Sequence, residues 1–433
     1  SKRRGMLVVV LSSLFAAALA APNANDAPSR LPLLRKRHVA GSMVTRVPRI
    51  FLSAAALGGG EDPRRNPSHG IHGSHDISTA GSRAHVSHVS RRVPGYVASS
   101  QSGEMSSARV DGEKEGGGDA HEWVWRGNKI AWKEAGPKDG PCVVLIHGFG
   151  VSSSQYRDNL PALAAKGYRT FALDLLGLGS SEKPVIDYSI EMWADQVSDF
   201  VQEVVGRPSV LVGNSIGSLI GLAVAQPSRI EKYAFPLVNG LVLINCAIGM
   251  NSKIKEDPSI PPWQFFILSS LFGLVDFVLN SPVAKPLFNS LRGQENIRNL
   301  LTNLYANPAR VDDYLVREVV TAANDVGAFE VFVKILTGDP GTRPEVLMED
   351  VMVPTYVLWG DNDPVTPING PVGKYFKGLS EGGDLGSSVN SNGRNPQSTT
   401  TFETLPGAGH CPHDDDPAVI NGKIAAWLDT LLR

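Results

Sequence analysis

Cysteine is scarce in this chain: Cys142, Cys246 and Cys411 are the only three in 433 residues, an odd count with no paired spacing. That excludes a disulfide framework and favours a reducing compartment. No Cys/His cluster has zinc spacing, so no metal is expected. A surplus of charge is missing as well. Forty-one Lys and Arg against 43 Asp and Glu leave a net −2, which gives no basic footprint for nucleic acid and no general attraction to an anionic surface. A membrane-spanning run is also missing at the amino end. The apolar run there, Leu7 to Phe15, is followed by small residues and then Pro22, too short and too soon broken to read as a membrane span.

What is there is unevenly spread. Residues 1–21 have a basic start (Lys2, Arg3, Arg4), the short apolar stretch and an alanine-rich exit, the parts of a secretory signal peptide. Between residues 27 and 109 there are twelve Arg and Lys against four acids (Glu61, Asp62, Asp76, Glu104), with frequent Ser, Gly and Pro and six of the ten histidines. An Arg-rich, Ser-rich, acid-poor segment reads as a transit peptide, so 22–120 is expected to be transit-peptide-like and without a fold. A signal peptide followed by such a segment resembles the two-part address used by algae with secondary plastids. The alternatives are a disordered linker of no special purpose and a secreted or endomembrane destination. His69, His72 and His75 fall in this unordered stretch and are not taken as metal ligands.

From about residue 121 strands alternate with helices. Trp123-Val124-Trp125 and Ile130-Ala131-Trp132 flank Arg126-Gly127-Asn128-Lys129 as a hairpin. Short apolar runs without alternation follow, at Val143–Ile146, Thr170–Leu173, Val210–Val212, Leu241–Ile244 and Tyr356–Leu358. These are strands buried on both faces, so the fold class is α/β, with a mostly parallel central sheet covered by helices on both faces. Ile190, Trp193, Val197, Phe200, Val201, Val204 and Val205 fall at helical spacing up to Gly206. A further helix is expected from Ser215 to Gln226. The rhythm breaks over 247–350, where prolines separate several helical segments and no strand pattern occurs, giving a helical cap inserted between a first core part (121–246) and a second (351–433). A last strand near Thr399–Leu405 precedes a final helix over 417–432.

The chemistry sits at the strand ends. Gly213-Asn214-Ser215-Ile216-Gly217 follows one strand and opens a helix. That is the pattern of a nucleophile elbow, a turn so tight that only glycine fits at its flanks. A serine hydroxyl needs a base, and the order nucleophile, acid, histidine places the partners downstream. His410, in Gly407-Ala408-Gly409-His410 after the last strand, is the expected base. His147, in the turn after the first parallel strand, is expected to hold its loop in shape, and His413 to be exposed. Trp359-Gly360-Asp361-Asn362-Asp363-Pro364 ends a strand between them. Asp363 is expected to be the acid, with Asp361 a turn residue. The oxyanion donors are expected to be the backbone amides of Ile216 and Phe149. A carboxylate at the elbow would have indicated dehalogenase or epoxide hydrolase chemistry, and Ser215 argues against both. No cofactor is implied.

With these residues placed, the chain resembles the plastid α/β-hydrolases, most closely the chlorophyll dephytylases of plants, over most of 121–433. The stretches that carry it are Gly213–Leu219, Gly240–Cys246 with Gly249-Met250-Asn251, Asn307–Tyr314, Ile335–Gly338, Gly370–Phe376 and Gly409-His410-Cys411-Pro412. Pheophytinases are similar around the elbow and less so in the cap. The resemblance implies an α/β-hydrolase fold, hydrolysis of the phytyl ester of chlorophyll to chlorophyllide and phytol, and Ser215, Asp363 and His410 as the triad. A Gly-, Ser- and Asn-rich stretch, Glu381–Ser398, departs from it and reads as an inserted loop. The cap offers an apolar stretch from Phe265 to Leu279, interrupted by Gly273 and Asp276. It has three readings: a wall for a prenyl tail, a cap helix buried against its neighbours, or a surface resting on a thylakoid membrane. The expected partner is thus a small hydrophobic ester. A general lipase or carboxylesterase and a ligand receptor that kept the triad remain as rivals. Cys246 and Cys411 are expected to be buried small hydrophobes.

Overall fold

The computed structural model describes residues 118–251, 253, 262–381 and 399–432, with the backbone alone for 262–268 and 271. The signal- and transit-peptide segments, all but the last three residues of the stretch up to 120, lie outside the described residues, as do 382–398 of the inserted loop.

Eight strands form one sheet: β1 (Asp119–Trp125), β2 (Asn128–Ala135), β3 (Cys142–Ile146), β4 (Arg169–Leu173), β5 (Ser209–Asn214), β6 (Val238–Ile244), β7 (Thr355–Gly360) and β8 (Thr400–Leu405). Their order is β1-β2-β4-β3-β5-β6-β7-β8. The hairpin pairs are antiparallel and every pair from β4 to β8 is parallel. The first strand begins at Asp119, two residues before the expected start of the core. The hairpin loop is also shorter than expected. Trp125 pairs with Asn128, and only Arg126 and Gly127 turn, both at positive φ (49° and 82°). A two-residue loop of that hand matches the strand twist, so Asn128 and Lys129 belong to β2.

The continuous apolar runs have a direct structural reading. In β3, Val143 and Leu145 pack on one face while Cys142, Val144 and Ile146 pack on the other, all buried. One face is covered by α1 (Asn159–Ala165) and α12 (Pro417–Leu432), through Leu160, Leu163, Ile420, Ile424 and Leu428. The other is covered by α2 (Ile190–Phe200) and α3 (Ile216–Val224), through Trp193, Val197, Phe200, Leu219 and Leu222. Ser189 caps α2 by accepting the Met192 amide at 3.1 Å. The helical path continues as a π turn over Val201–Val205 until Gly206, at φ 71°, ends it in the left-handed region where glycine carries no steric cost.

Between β6 and β7 the described residues form no strand. They form α4 (Pro262–Leu279), α5 (Ala284–Leu291), α6 (Gln294–Thr302), α7 (Asp313–Asn324), α8 (Ala328–Thr337) and α9 (Pro344–Glu349). Leu301, Tyr305, Val311, Leu315, Val316 and Val319 of this region pack against Val151 and Cys411 of the core in a separate apolar cluster. The described side chains of α4 do not all turn inward: Leu274 is 57% and Phe277 72% exposed. Burial of the whole helix against neighbours is therefore not what the structure has. No described helix is long and apolar enough to cross a membrane. After β7 come α10 (Pro371–Ser380) and, beyond β8, the single turn α11 (Pro412–Asp415).

Candidate active site

Strand β5 runs directly into α3, and Ser215 stands between them at φ 57°, ψ −120°. This conformation is costly for a side-chain-bearing residue and is held by its surroundings. The helix does not begin at Ser215, as the sequence suggested, but at Ile216, because a residue with that φ cannot be helical. Both flanking glycines are obligatory on contact grounds. A Cβ at Gly213 would lie 2.3 Å from the Gly217 carbonyl carbon, and one at Gly217 would lie 2.2 Å from the Ile146 carbonyl oxygen. The Ser215 amide donates to Ile244 O at 3.0 Å, and Ser215 O accepts from Ala247 N at 3.2 Å, so the elbow is pinned to the end of β6. The first amide of α3, that of Ile216, has no acceptor within its own helix by position and lies at the positive end of the helix.

The structure brings His410 and Asp363 together. His410 Nδ1 lies 2.8 Å from Asp363 Oδ2, and both residues are buried. Asp363 also accepts from Val365 N (2.7 Å) and Thr366 N (3.0 Å) at Oδ1, and from Thr366 Oγ1 (2.6 Å) and Asn245 Nδ2 (2.6 Å) at Oδ2. Burial pushes this carboxyl up, but the imidazole and the hydrogen bonds outweigh it and hold it below the usual range. An ionised carboxylate only accepts, so Nδ1 carries the proton and Nε2 is left as the basic nitrogen. Asp361 plays no part in this pair. It accepts the Gly407 amide at 2.6 Å, as a turn residue does. The elbow and the histidine loop are joined through the neighbour of the serine: Asn214 Nδ2 donates to His410 O at 3.0 Å.

His147 is buried beside the elbow. Its Nδ1 lies 2.7 Å from Gly148 O, and its Nε2 accepts from Leu175 N at 3.0 Å. The carbonyl fixes the proton on Nδ1. Burial lowers the ring's proton affinity, against the pull of Asp174 and of the Gly148 carbonyl, so it stays neutral and shapes the loop. In that loop Phe149 stacks on Phe332 of α8 at 6.3 Å, which makes its side chain part of the cap contact. A Cβ at Gly148 would sit 3.3 Å from Ser215 Cβ, so the loop passes close over the serine.

His413 is the correction. It is fully buried rather than exposed, with its ring 4.6 Å from that of Tyr156. The Pro412 turn directs it inward because α11 is tied down by its two acids. Asp415 accepts from Gly409 N (3.2 Å), Ala306 N (3.0 Å) and Asn307 N (3.1 Å). Asp414 accepts from Tyr305 Oη (2.8 Å), Arg310 Nη2 (2.5 Å) and Arg157 Nε (3.3 Å). His410 N donates to Leu304 O at 2.8 Å. The cap segment 304–310 is thus fastened to the loop that carries His410. Sequence reasoning singled out Asn307–Tyr314 and Gly409–Pro412 without giving either this role; the paired acids Asp414-Asp415 after Cys411 were the available signal.

The three cysteines are free and buried. Cys246 and Cys411 pack in different apolar clusters. Cys411 Sγ receives Gln155 Nε2 at 3.3 Å. No group of acids, histidines and cysteines among the described residues is arranged to hold a metal ion.

A model of the alpha/beta hydrolase family matches residues 143–422. The chain belongs to the alpha/beta hydrolase family. Within it, the chain is 26% identical over 331 residues to the chloroplastic pheophytinase of Arabidopsis thaliana, covering 68% of this chain and 62% of that one. It is 29% identical over 252 residues to a 2-hydroxy-6-oxo-6-(2'-aminophenyl)hexa-2,4-dienoic acid hydrolase of Metapseudomonas resinovorans, covering 56% and 74%. The chain therefore spans under two thirds of the length of the pheophytinase. Among solved structures, a bacterial membrane phospholipase A aligns at 24% identity with a TM-score of 0.52, over 73% of this chain and 87% of that one. A serine hydrolase of carbazole degradation aligns at 23% identity with a TM-score of 0.51, over 72% and 99%. These alpha/beta hydrolases share the fold of this chain.

Proposed function

We propose that the chain is a serine esterase that hydrolyses the phytyl ester of chlorophyll or a related pigment to chlorophyllide and phytol. The observation that carries the esterase reading is the buried Asp363–His410 pair, joined at 2.8 Å, whose loop is bonded to the residue before a serine held at φ 57°. In this scheme His410 Nε2 takes the Ser215 proton as Oγ attacks the ester carbonyl carbon. The amides of Ile216 and Phe149 receive the oxyanion. The C–O bond to phytol then breaks, His410 returns the proton to the leaving alkoxide, and the acyl group stays on Ser215. Water, activated by the same imidazole, adds to the acyl carbon and releases the acid. The scheme uses no cofactor.

Three observations support a pigment ester over a small one. The relative from Arabidopsis is a pheophytinase. The motifs outside the elbow resemble those of dephytylases. The cap exposes Leu274 and Phe277 on an apolar helix, which also suits peripheral contact with a thylakoid surface. A plastid address agrees with the chloroplastic relative and the composition of 1–120.

The test incubates the full chain with chlorophyll a, pheophytin a and p-nitrophenyl esters, beside Ser215→Ala. Phytol released from a tetrapyrrole by the wild type alone supports the reading. Activity confined to simple esters would make it a general carboxylesterase, and tight pigment binding without turnover would make it a receptor.

A further inference from the structure

Asn245 follows β6 and has no role in the proposed chemistry, yet it touches both loops that build the acid–base pair. It is fully buried. Its Nδ2 donates to Asp363 Oδ2 at 2.6 Å and to Gly409 O at 2.9 Å. Its Oδ1 accepts from Gly360 N at 2.9 Å. One amide thus reaches the carboxylate, the residue before His410 and the end of the strand that delivers Asp363, and both of its N–H donors are used. Its backbone is at φ 46°, in the left-handed region that asparagine enters more readily than most residues. The oxygen it binds is the one that faces His410 Nδ1. A carboxylate free to rotate would present either oxygen to the imidazole.

We propose that Asn245 is a positioning residue of the acid–base pair: its amide joins the Thr366 hydroxyl in holding the Asp363 oxygen that faces His410, and it alone ties that oxygen to the His410 loop through Gly409 among the described residues. This rests on the serine-esterase reading for its effect on rate, but not for its effect on geometry. The titratable groups around it are Asp363 itself, His410 against the same oxygen, Asp415 beyond Gly409, and the thiols of Cys246 and Cys411. Burial pushes both thiols up, so they are neutral throughout.

The decisive variant is Asn245→Asp, made in the full chain. It keeps the shape and the acceptor for Gly360 N but replaces both donors by an oxygen. It also sets a second carboxyl against Asp363, so Asn245→Gly, which removes the donors and adds no charge, is the variant that separates the lost hydrogen bonds from the added charge. Expected is a kcat loss of about 10- to 100-fold at pH 7.5 on a p-nitrophenyl ester, with KM within about threefold. The ratio of variant to wild-type kcat should rise as pH falls, because the introduced carboxyl, once protonated, donates to Asp363 as the amide did. Asn245→Gly, which the positive φ accommodates, should show the same kcat loss with no pH-dependent recovery. A second readout needs no turnover. The low-field proton resonance of His410 Nδ1–H, identified by its loss in His410→Gln, should shift in both variants. A variant kcat within twofold of wild type at every pH, with the resonance unmoved, overturns the proposal. An inactive wild type whose resonance shifts on substitution would leave the positioning role standing and sink the esterase reading alone.

Discussion

The side chain of Asn214 holds the backbone of His410: Nδ2 donates to its carbonyl at 3.0 Å and to Ile244 O at 3.2 Å. The residue before the proposed nucleophile therefore fixes the loop of the proposed base, and the end of β6 besides. Removing this amide takes the donor from the His410 carbonyl, at about 1–3 kcal/mol for a buried group left unpaired, while Ile244 O keeps the Ser215 amide and the Ser218 hydroxyl. Asn214→Ala is expected to lower stability by an amount in that range, read in urea unfolding, and to lower kcat more than it raises KM. A kcat equal to wild type would show that the elbow and the histidine loop hold their places independently.

The acid can be tested apart from its fold. Asp363→Asn keeps the side-chain shape but offers Nδ1 an amide that can stabilise the wrong tautomer. The loss expected is about 10⁴-fold in kcat, as in other serine triads. Asp361→Asn is the control, since Asp361 meets only the Gly407 amide at the exposed end of the loop. Equal losses from the two substitutions would remove Asp363 from its proposed role.

The elbow glycines make a stability prediction. Gly217→Ala places a methyl 2.2 Å from Ile146 O, which is backbone of the central strand and cannot give way. The cost should reach or exceed the ~1–3 kcal/mol of ordinary overpacking. Gly422→Ala, on an open part of α12 with nothing within 4 Å, should be neutral or stabilising. Comparing their melting temperatures decides it.

The parts of this molecule readable from sequence are those where local chemistry and global fold agree. Runs such as Val143–Ile146 can only be strands buried on both faces, and Gly213 and Gly217 can only flank a turn that admits no Cβ. The Arg126-Gly127 turn was misjudged by two residues because the apolar pattern marks where side chains bury, not where the ladder ends. His413 was misjudged because its burial is imposed by distant partners: the guanidinium groups of Arg157 and Arg310 and the amides of 306 and 307 draw α11 inward. Asn245 was invisible in role, since a polar residue after a strand reads as a turn until the loops from 360 and 409 are seen to meet there.

That buried histidine makes the fold sensitive to acid. Burial pushes the proton affinity of His413 down to about 3 from an ordinary 6.5, and His410 opposes its charge further. Neither ring nitrogen has a hydrogen-bond partner among the described residues. The unfolded chain binds this proton below pH 6.5 and the folded chain does not, so the stability present above 6.5 is lost progressively as pH falls towards about 3. His147, also lowered by burial, acts with the same sign. Asp414 and Asp415, both raised by burial, act with the opposite sign, favouring the folded state at low pH. Replacing the ring by His413→Phe should flatten the fall in unfolding free energy between pH 6.5 and 5 by up to ~1.4 kcal/mol per pH unit. Parallel curves for the two proteins would mean that His413 takes up its proton in the fold as readily as in the unfolded chain.

The last prediction concerns the cap. Asp415 accepts amides from both sides of the join, Gly409 on the histidine loop and Ala306 and Asn307 on the cap. Asp414, Arg157 and Arg310 brace the same join with charge. If the cap opens to admit a large ester, it must hinge elsewhere, because parting here would expose three amides and a carboxylate whose pairing the fold has arranged. Asp415→Ala leaves those amides without their acceptor, at about 1–3 kcal/mol for each that stays buried. It should loosen the histidine loop and the cap together. Hydrogen exchange should then quicken at 304–310 and at 409–411 to a similar extent, while β3 and β5 keep their protection. Faster exchange in the cap segment alone would show that the two are neighbours without being coupled.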